Sequence, residues 1–251
     1  MITVYQLPTA WGRIPSLGHF CVKVQTYLRM VELPYRVCSV SPRKAPKGKV
    51  PFIEDGGEVV SDSETIVNYL KRTYGDPLDE SLTSAERASA HTMRRMLEEH
   101  TYFAALWFRW GEERSWPHMR VYFHDLLGAR APLLSWMARR SMLRQLWEQG
   151  IARHDSDEIL ARAKADMDVV STELGSKPYL LGDQPTSVDA SAYGVLTAIL
   201  DAPWDSPEAE HLRSLSNVSA YLERLRERYW AGWDATENNR AETPPRTAHA
   251  R

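Results

Sequence analysis

One stretch and its continuation hold the residue types best suited to chemistry in this chain. Lys47-Gly48-Lys49-Val50-Pro51-Phe52-Ile53-Glu54-Asp55-Gly56 reads as a turn entering a strand. Val59-Val60-Ser61-Asp62-Ser63-Glu64-Thr65-Ile66-Val67-Asn68-Tyr69-Leu70 reads as a second strand entering a helix. Pro51 cannot donate to a ladder, so it starts the strand or sits in a rigid turn, and the Val50–Pro51 bond is a candidate cis peptide. Asp62 and Ser63 meet the start of an apolar-periodic helix, whose first N–H groups lack partners and attract anions. That combination suits a small ligand bearing a carboxylate. Ser16, His19 and Cys21 form a second group of reactive types, near the start of an earlier helix.

The elements that must position these residues are set by the patterning. Ile2-Thr3-Val4-Tyr5-Gln6-Leu7 alternates in a β-rich composition and stops at Pro8. A loop from Trp11 to His19 comes next, in which Ser16 or a neighbour is placed to cap a helix beginning near Phe20. Phe20, Val24, Tyr27, Leu28 and Val31 fall on one face of that helix, and Leu33-Pro34 ends it. Tyr35 to Val40 is a second strand, parallel to the first if the crossover is right-handed. A hairpin turning at Gly56-Gly57 and a helix ending near Tyr74-Gly75 complete the order βαβ-ββα, that of a thioredoxin-like domain.

After Asp76-Pro77-Leu78 the pattern becomes helical, and no strand is expected again. Met93, Met96, Leu97, His100, Phe103, Ala104, Trp107 and Trp110 form one stripe of a long helix. Gly111, Trp116-Pro117, Gly128 and Pro132 break the next region into shorter helices. Asp155 to Glu158 and Thr186 to Asp189 read as capping boxes, and a last helix spans roughly Val218 to Tyr229. The expected organisation is an α+β two-domain chain, with a thioredoxin-like unit over 1–76, an all-α unit over 83–233 and a disordered tail over 234–251.

Hydrophobic residues make up 43% of the 251 positions, charged residues 25%, and the net charge is −2. Positive charge is balanced by acid along the chain, which excludes the electrostatic footprint of a nucleic-acid binder. No apolar run approaches the roughly 20 residues of a membrane helix, and the N-terminus lacks a secretory pattern, so a cytoplasmic protein is expected. Two cysteines, Cys21 and Cys38, are too few for a disulfide framework or a zinc site, so no metal is expected.

Pro46-Lys47-Gly48-Lys49-Val50-Pro51, Asp62-Ser63 before Thr65-Ile66, and Thr186-Ser187-Val188-Asp189 after Leu181-Gly182-Asp183 resemble the signature positions of cytosolic glutathione S-transferases. Within that superfamily, Trp11-Gly12, Pro15-Ser16, Phe20-Cys21-Val22-Lys23-Val24 and Thr26-Tyr27-Leu28-Arg29-Met30 resemble the metaxin-like, failed-axon-connections-like branch. Glu99-His100, Trp110, Gln145-Leu146-Trp147 and Ala220-Tyr221-Leu222-Glu223-Arg224 do so too. The resemblance implies that glutathione is the small-molecule substrate. It also implies that Val50, before a cis-Pro51, pairs its backbone with the cysteinyl part, that Ser63 binds the γ-glutamyl carboxylate, that Asp62 addresses the amino group and that Lys49 pairs with the glycyl carboxylate. A homodimer is the assembly expected by the same analogy.

Related sequences read Ser-Pro-Phe-Cys where this chain has Gly18-His19-Phe20-Cys21. A transferase needs a donor there to hold the glutathione thiolate. Ser16, Cys21, His19 and the helix N-terminus itself remain as substitutes, with Cys21 equally readable as a buried helix residue. Trp11, Tyr102 and Arg109 are the residues expected to face an electrophile pocket, and His100 is expected to be an interdomain histidine. The reading is a glutathione transferase acting on a small hydrophobic electrophile; the alternative is a non-catalytic, metaxin-like binding or adaptor protein on the same fold.

Overall fold

The computed structural model describes residues 1–233. Four strands precede residue 62: β1 Ile2–Gln6, β2 Tyr35–Ser39, β3 Phe52–Asp55 and β4 Glu58–Ser61, in the order β2-β1-β3-β4. β1 and β2 are parallel across the helix α1, His19–Met30, while β3 runs antiparallel to both β1 and β4. The hairpin turns on Gly56 and Gly57, at φ of 58° and 92°, the positive angles that a two-residue primed turn requires. α2, Ser63–Tyr74, then packs against the sheet and stops at Gly75.

The pleat sorts the side chains. Val4, Ile53 and Val60 stand in register across three strands and meet Val24, Tyr27 and Leu28 of α1 and Ile66, Val67 and Leu70 of α2. On the other face Tyr5 stacks on Phe52 at 4.4 Å, beside Cys38, Val40 and Ala45.

Among the described residues every later regular element is helical. These are α3 Ser84–Met96, α4 Tyr102–Trp110, α5 Trp116–Leu127, α6 Ala131–Gln149, α7 Ser156–Leu174, α8 Ser187–Leu200, α9 Pro207–Ser214 and α10 Ser216–Tyr229. The capping boxes at Asp155/Glu158 and Thr186/Asp189 open α7 and α8 as the sequence indicates. α9, which the apolar pattern does not announce, starts where Ser206 accepts from the Ala209 N–H. None of the described helices is long and apolar enough to cross a membrane. The tail expected to be disordered, 234–251, lies outside the described residues.

The long helix departs from its expected stripe. A π turn at Leu97–Thr101 joins α3 to α4. One extra residue rotates α4 by about 100° relative to the continuation of a regular α-helix. Thr101, Ala105, Phe108 and Arg109 thereby go inside with Leu97 and Ala104, while Phe103 and Trp107 are only half-buried.

The two halves interlock. Ala10, Ile14 and Leu17 of the β1–α1 loop, with Val22 of α1, belong to the helical core, and Ala190 of α8 belongs to the sheet core. α8 lies so close to α1 that a Cβ on Gly194 would stand 2.7 Å from the His19 carbonyl oxygen and 2.8 Å from the Lys23 nitrogen. Asp79, in the segment between the halves, accepts from the Ser187 N–H at 2.8 Å and pairs with Lys71, tying the start of α8 to α2.

Candidate active site

The residues singled out at Val50-Pro51 and Asp62-Ser63 come from β3, β4 and α2. The Val50–Pro51 bond is cis, and Val50 precedes the first paired residue of β3, so its backbone lies outside the ladders. Asp62 closes β4 at φ +85°, a left-handed conformation that costs a non-glycine residue of order 1–3 kcal/mol and is retained where surroundings or function demand it. Its exposed carboxylate caps α2, with Oδ1 accepting from the Glu64 and Thr65 N–H groups, each at 3.1 Å. Asp62 therefore does the capping, and the Ser63 hydroxyl is left free of it. Ser63 is the first residue of α2 and is 6% exposed. Lys49 is exposed on the approach to the turn.

Behind Ser63 lies a feature that the sequence alone did not reveal. Lys23, five residues into α1 and 2% exposed, donates from Nζ to Ser63 Oγ at 3.4 Å and to Glu98 Oε1 at 2.5 Å. Burial lowers the Lys23 pKa, and the Glu98 carboxylate opposes that shift. Lys23 falls on the apolar side of α1, and that misplaced charge was the signal that could have found it.

At the start of α1 the N-cap is Gly18, with no side-chain cap. Ser16 is fully buried: its hydroxyl donates to the Leu7 carbonyl at 2.8 Å and accepts from the Gly18 N–H at 3.2 Å. Cys21 is fully buried, and burial pushes its thiol up to about 11, with hydrogen bonds to the Leu7 backbone and Ser16 pulling the other way. Its sulfur fills the space in front of Gly18, where a Cβ would stand 2.8 Å from Sγ. The N–H groups of His19 and Phe20, in the first turn of α1, have no intrahelical acceptor.

Around this point Tyr102 is half-buried, edge-on to His19 at 5.0 Å and tilted over Phe20 at 4.6 Å. Burial pushes its phenol up to about 12. Trp11, half-buried, meets Trp204 edge-on at 5.3 Å and donates Nε1–H to the His118 carbonyl at 3.1 Å. Arg109, expected at a pocket, is 3% exposed and ties the loop to the helices. It donates to the Leu17 carbonyl at 2.7 Å, to the Ala198 carbonyl at 3.4 Å and to His19 Nε2 at 3.4 Å. An arginine only donates, so His19 Nε2 carries a lone pair, in keeping with a ring held neutral by burial and by Arg109. His100 is not interdomain: Nδ1 stands 2.6 Å from Asp166 of α7, because the π turn swings it toward that helix. Among the described residues no three His, Cys, Asp or Glu side chains gather to hold a metal ion.

Comparison with known proteins identifies the family. The sequence model of the glutathione S-transferase N-terminal domain matches residues 19–115, and that of the C-terminal domain matches 163–225. The isoprene-epoxide–glutathione S-transferase of Rhodococcus sp. (strain AD45) is 34% identical over 249 residues, spanning 91% of this chain and 99% of that protein. The chain belongs to the glutathione S-transferase family. It is also similar to Metaxin-2 of Mus musculus, 28% identical over 92% of this chain and 89% of that one. Glutathione transferase F7 from Populus trichocarpa shares the glutathione S-transferase fold, with a TM-score of 0.59 at 17% identity over 95% of this chain and 99% of that one.

Proposed function

We propose that this family member binds glutathione and transfers it to a small hydrophobic electrophile. Ser63 is the observation that carries the reading. Its hydroxyl opens a helix, is not used in the cap and is available to a γ-glutamyl carboxylate, which the positive end of the helix dipole also favours. Val50 offers an unpaired stretch of backbone to the cysteinyl part, as an added strand would require. Asp62 and Lys49, exposed neighbours of Ser63 and Val50 in the chain, are assigned the amino group and the glycyl carboxylate. The sulfur then lies at the start of α1, held as thiolate by the His19 and Phe20 N–H groups and the helix dipole in place of a residue-18 side chain. In the reaction the thiolate forms a bond to an electrophilic carbon, whose leaving group or epoxide oxygen takes the electron pair and is protonated. Trp11 and Tyr102 border the electrophile, and the relative named for an isoprene epoxide supports a substrate of this size.

Thermal unfolding with and without millimolar glutathione tests the binding. At a hundred times Kd the ligand stabilises by about 2.7 kcal/mol. The shift should shrink markedly in Ser63→Ala, and a wild-type protein that shows none refutes the reading. A homodimer in the cytoplasm is the assembly proposed, checked by light scattering and fractionation.

Gly18 favours a second reading. With Ser16 committed to Leu7, Cys21 buried as a thiol and His19 facing Arg109, none of the side chains considered as substitutes for a residue-18 donor stands ready to activate the sulfur. A protein that binds glutathione but conjugates none of a panel of electrophiles would be a binding or adaptor protein, a role supported by the similarity to Metaxin-2.

A further inference from the structure

We infer that Lys23 is a positioning residue for Ser63: held in place by Glu98, it donates to Ser63 Oγ and so turns the hydroxyl's own proton outward, toward a ligand carboxylate at the start of α2. The inference rests on Ser63 being the γ-glutamyl contact. A serine hydroxyl has one proton and two lone pairs, and a carboxylate only accepts. Ser63 is therefore useful to the ligand only in rotamers that point the proton at it. An ammonium, which has no lone pair, excludes the rotamers that point it inward. The bond from Lys23 also polarises the O–H, since each member of a hydrogen-bond chain strengthens the next.

The surroundings show how firmly Lys23 is held. Glu98, brought inward by the π turn and itself buried, accepts from Lys23 Nζ and from Ser191 Oγ at 2.7 Å through Oε1, and from Arg95 at 3.2 Å through Oε2. Arg95 reaches on to Glu64, the neighbour of Ser63, at 2.7 Å. Glu98 is thus linked to the start of α2 by two routes, one through Lys23 and one through Arg95. As a device for joining α1 to the helical half, a buried ion pair is a poor choice, because well-packed apolar residues of the same volume do as well or better. What the pair supplies and an apolar contact cannot is a fixed donor at Ser63.

The experiment compares two ligands, glutathione and its analogue lacking the γ-glutamyl α-carboxylate, by calorimetry on the full chain. The double variant Lys23→Met/Glu98→Gln removes the charges together and leaves neither buried alone. It should weaken glutathione roughly tenfold, the worth of about one hydrogen bond to a charged group, and leave the analogue unchanged. In a Ser63→Ala background it should cost nothing further. Equal losses for both ligands, no loss for glutathione, or a loss that persists without Ser63 overturns the role of Lys23 while leaving the Ser63 contact standing. A wild-type protein that does not bind glutathione removes the Ser63 contact and this role with it. Should the double variant not fold, Lys23→Leu/Glu98→Met, which fills the same volume with apolar side chains and again leaves no charge buried alone, serves: it must likewise cost glutathione and spare the analogue.

Discussion

Restoring a serine at position 18 tests the account of the α1 start. Gly18 has φ −86° and ψ 117°, an extended conformation open to any residue, so the backbone imposes no penalty. The obstacle is the Cys21 sulfur, 2.8 Å from the new Cβ, against an ordinary carbon–sulfur contact about 1 Å longer. Ser16 Oγ, at 3.7 Å, is in normal contact. Gly18→Ser alone should therefore destabilise by about 1–3 kcal/mol through overpacking. Cys21→Ala alone should cost about 1 kcal/mol of lost packing. Combined, the two should cost less than their sum by at least about 1 kcal/mol, because the alanine vacates the space the serine needs. Urea unfolding of the four proteins measures the cycle. Additivity to within about 0.5 kcal/mol would show that the sulfur does not fill the space before Gly18. The double variant also presents a hydroxyl at the helix start, so its kcat against electrophiles should exceed that of Cys21→Ala; no gain would argue against that end of α1 as the thiolate site.

Gly194→Ala should cost about 3 kcal/mol, since its Cβ meets backbone atoms of α1 that cannot rotate aside, and denaturant unfolding reads the loss. Cys21 should resist iodoacetamide at neutral pH in the folded protein, as a buried thiol pushed up to about 11 is almost wholly protonated; mass spectrometry of the native and unfolded chain shows the contrast. Burial pushes Glu208 up to about 7, above its ordinary value, so the folded chain holds a proton there that the unfolded chain has lost. Stability should fall as pH rises from about 4.5 to 7, by up to about 3 kcal/mol, and Glu208→Gln should flatten that slope. An unchanged slope in the variant would place the titration elsewhere.

Much of the frame was legible because local signals and tertiary packing agree there. The β1 strand stops before Pro8, the hairpin needs the two glycines it has, and two capping boxes announce α7 and α8. The face of the long helix was not legible, since a π turn leaves no mark in a 3.6-residue period: after Leu97 the expected stripe keeps Ala104 and Trp110 in the core but leaves His100, Phe103 and Trp107 half-buried. Arg109, expected at a pocket, is buried instead because the carbonyls it reaches, Leu17 and Ala198, are 92 and 89 residues distant in sequence and meet it only in the folded chain. Lys23 and Glu98 lie 75 residues apart, and only the folded chain pairs them.

The loop between β1 and α1 also bears on how this chain could be taken apart. Ala10, Ile14 and Leu17 are planted in the helical core, and Ala190 is planted in the core of the sheet. Neither half is a cassette. A chimera that exchanges the first 76 residues with those of another family member would carry three apolar pegs into sockets cut for different ones, so a workable exchange must swap the loop together with the α8 residues and the helical pocket that receive it.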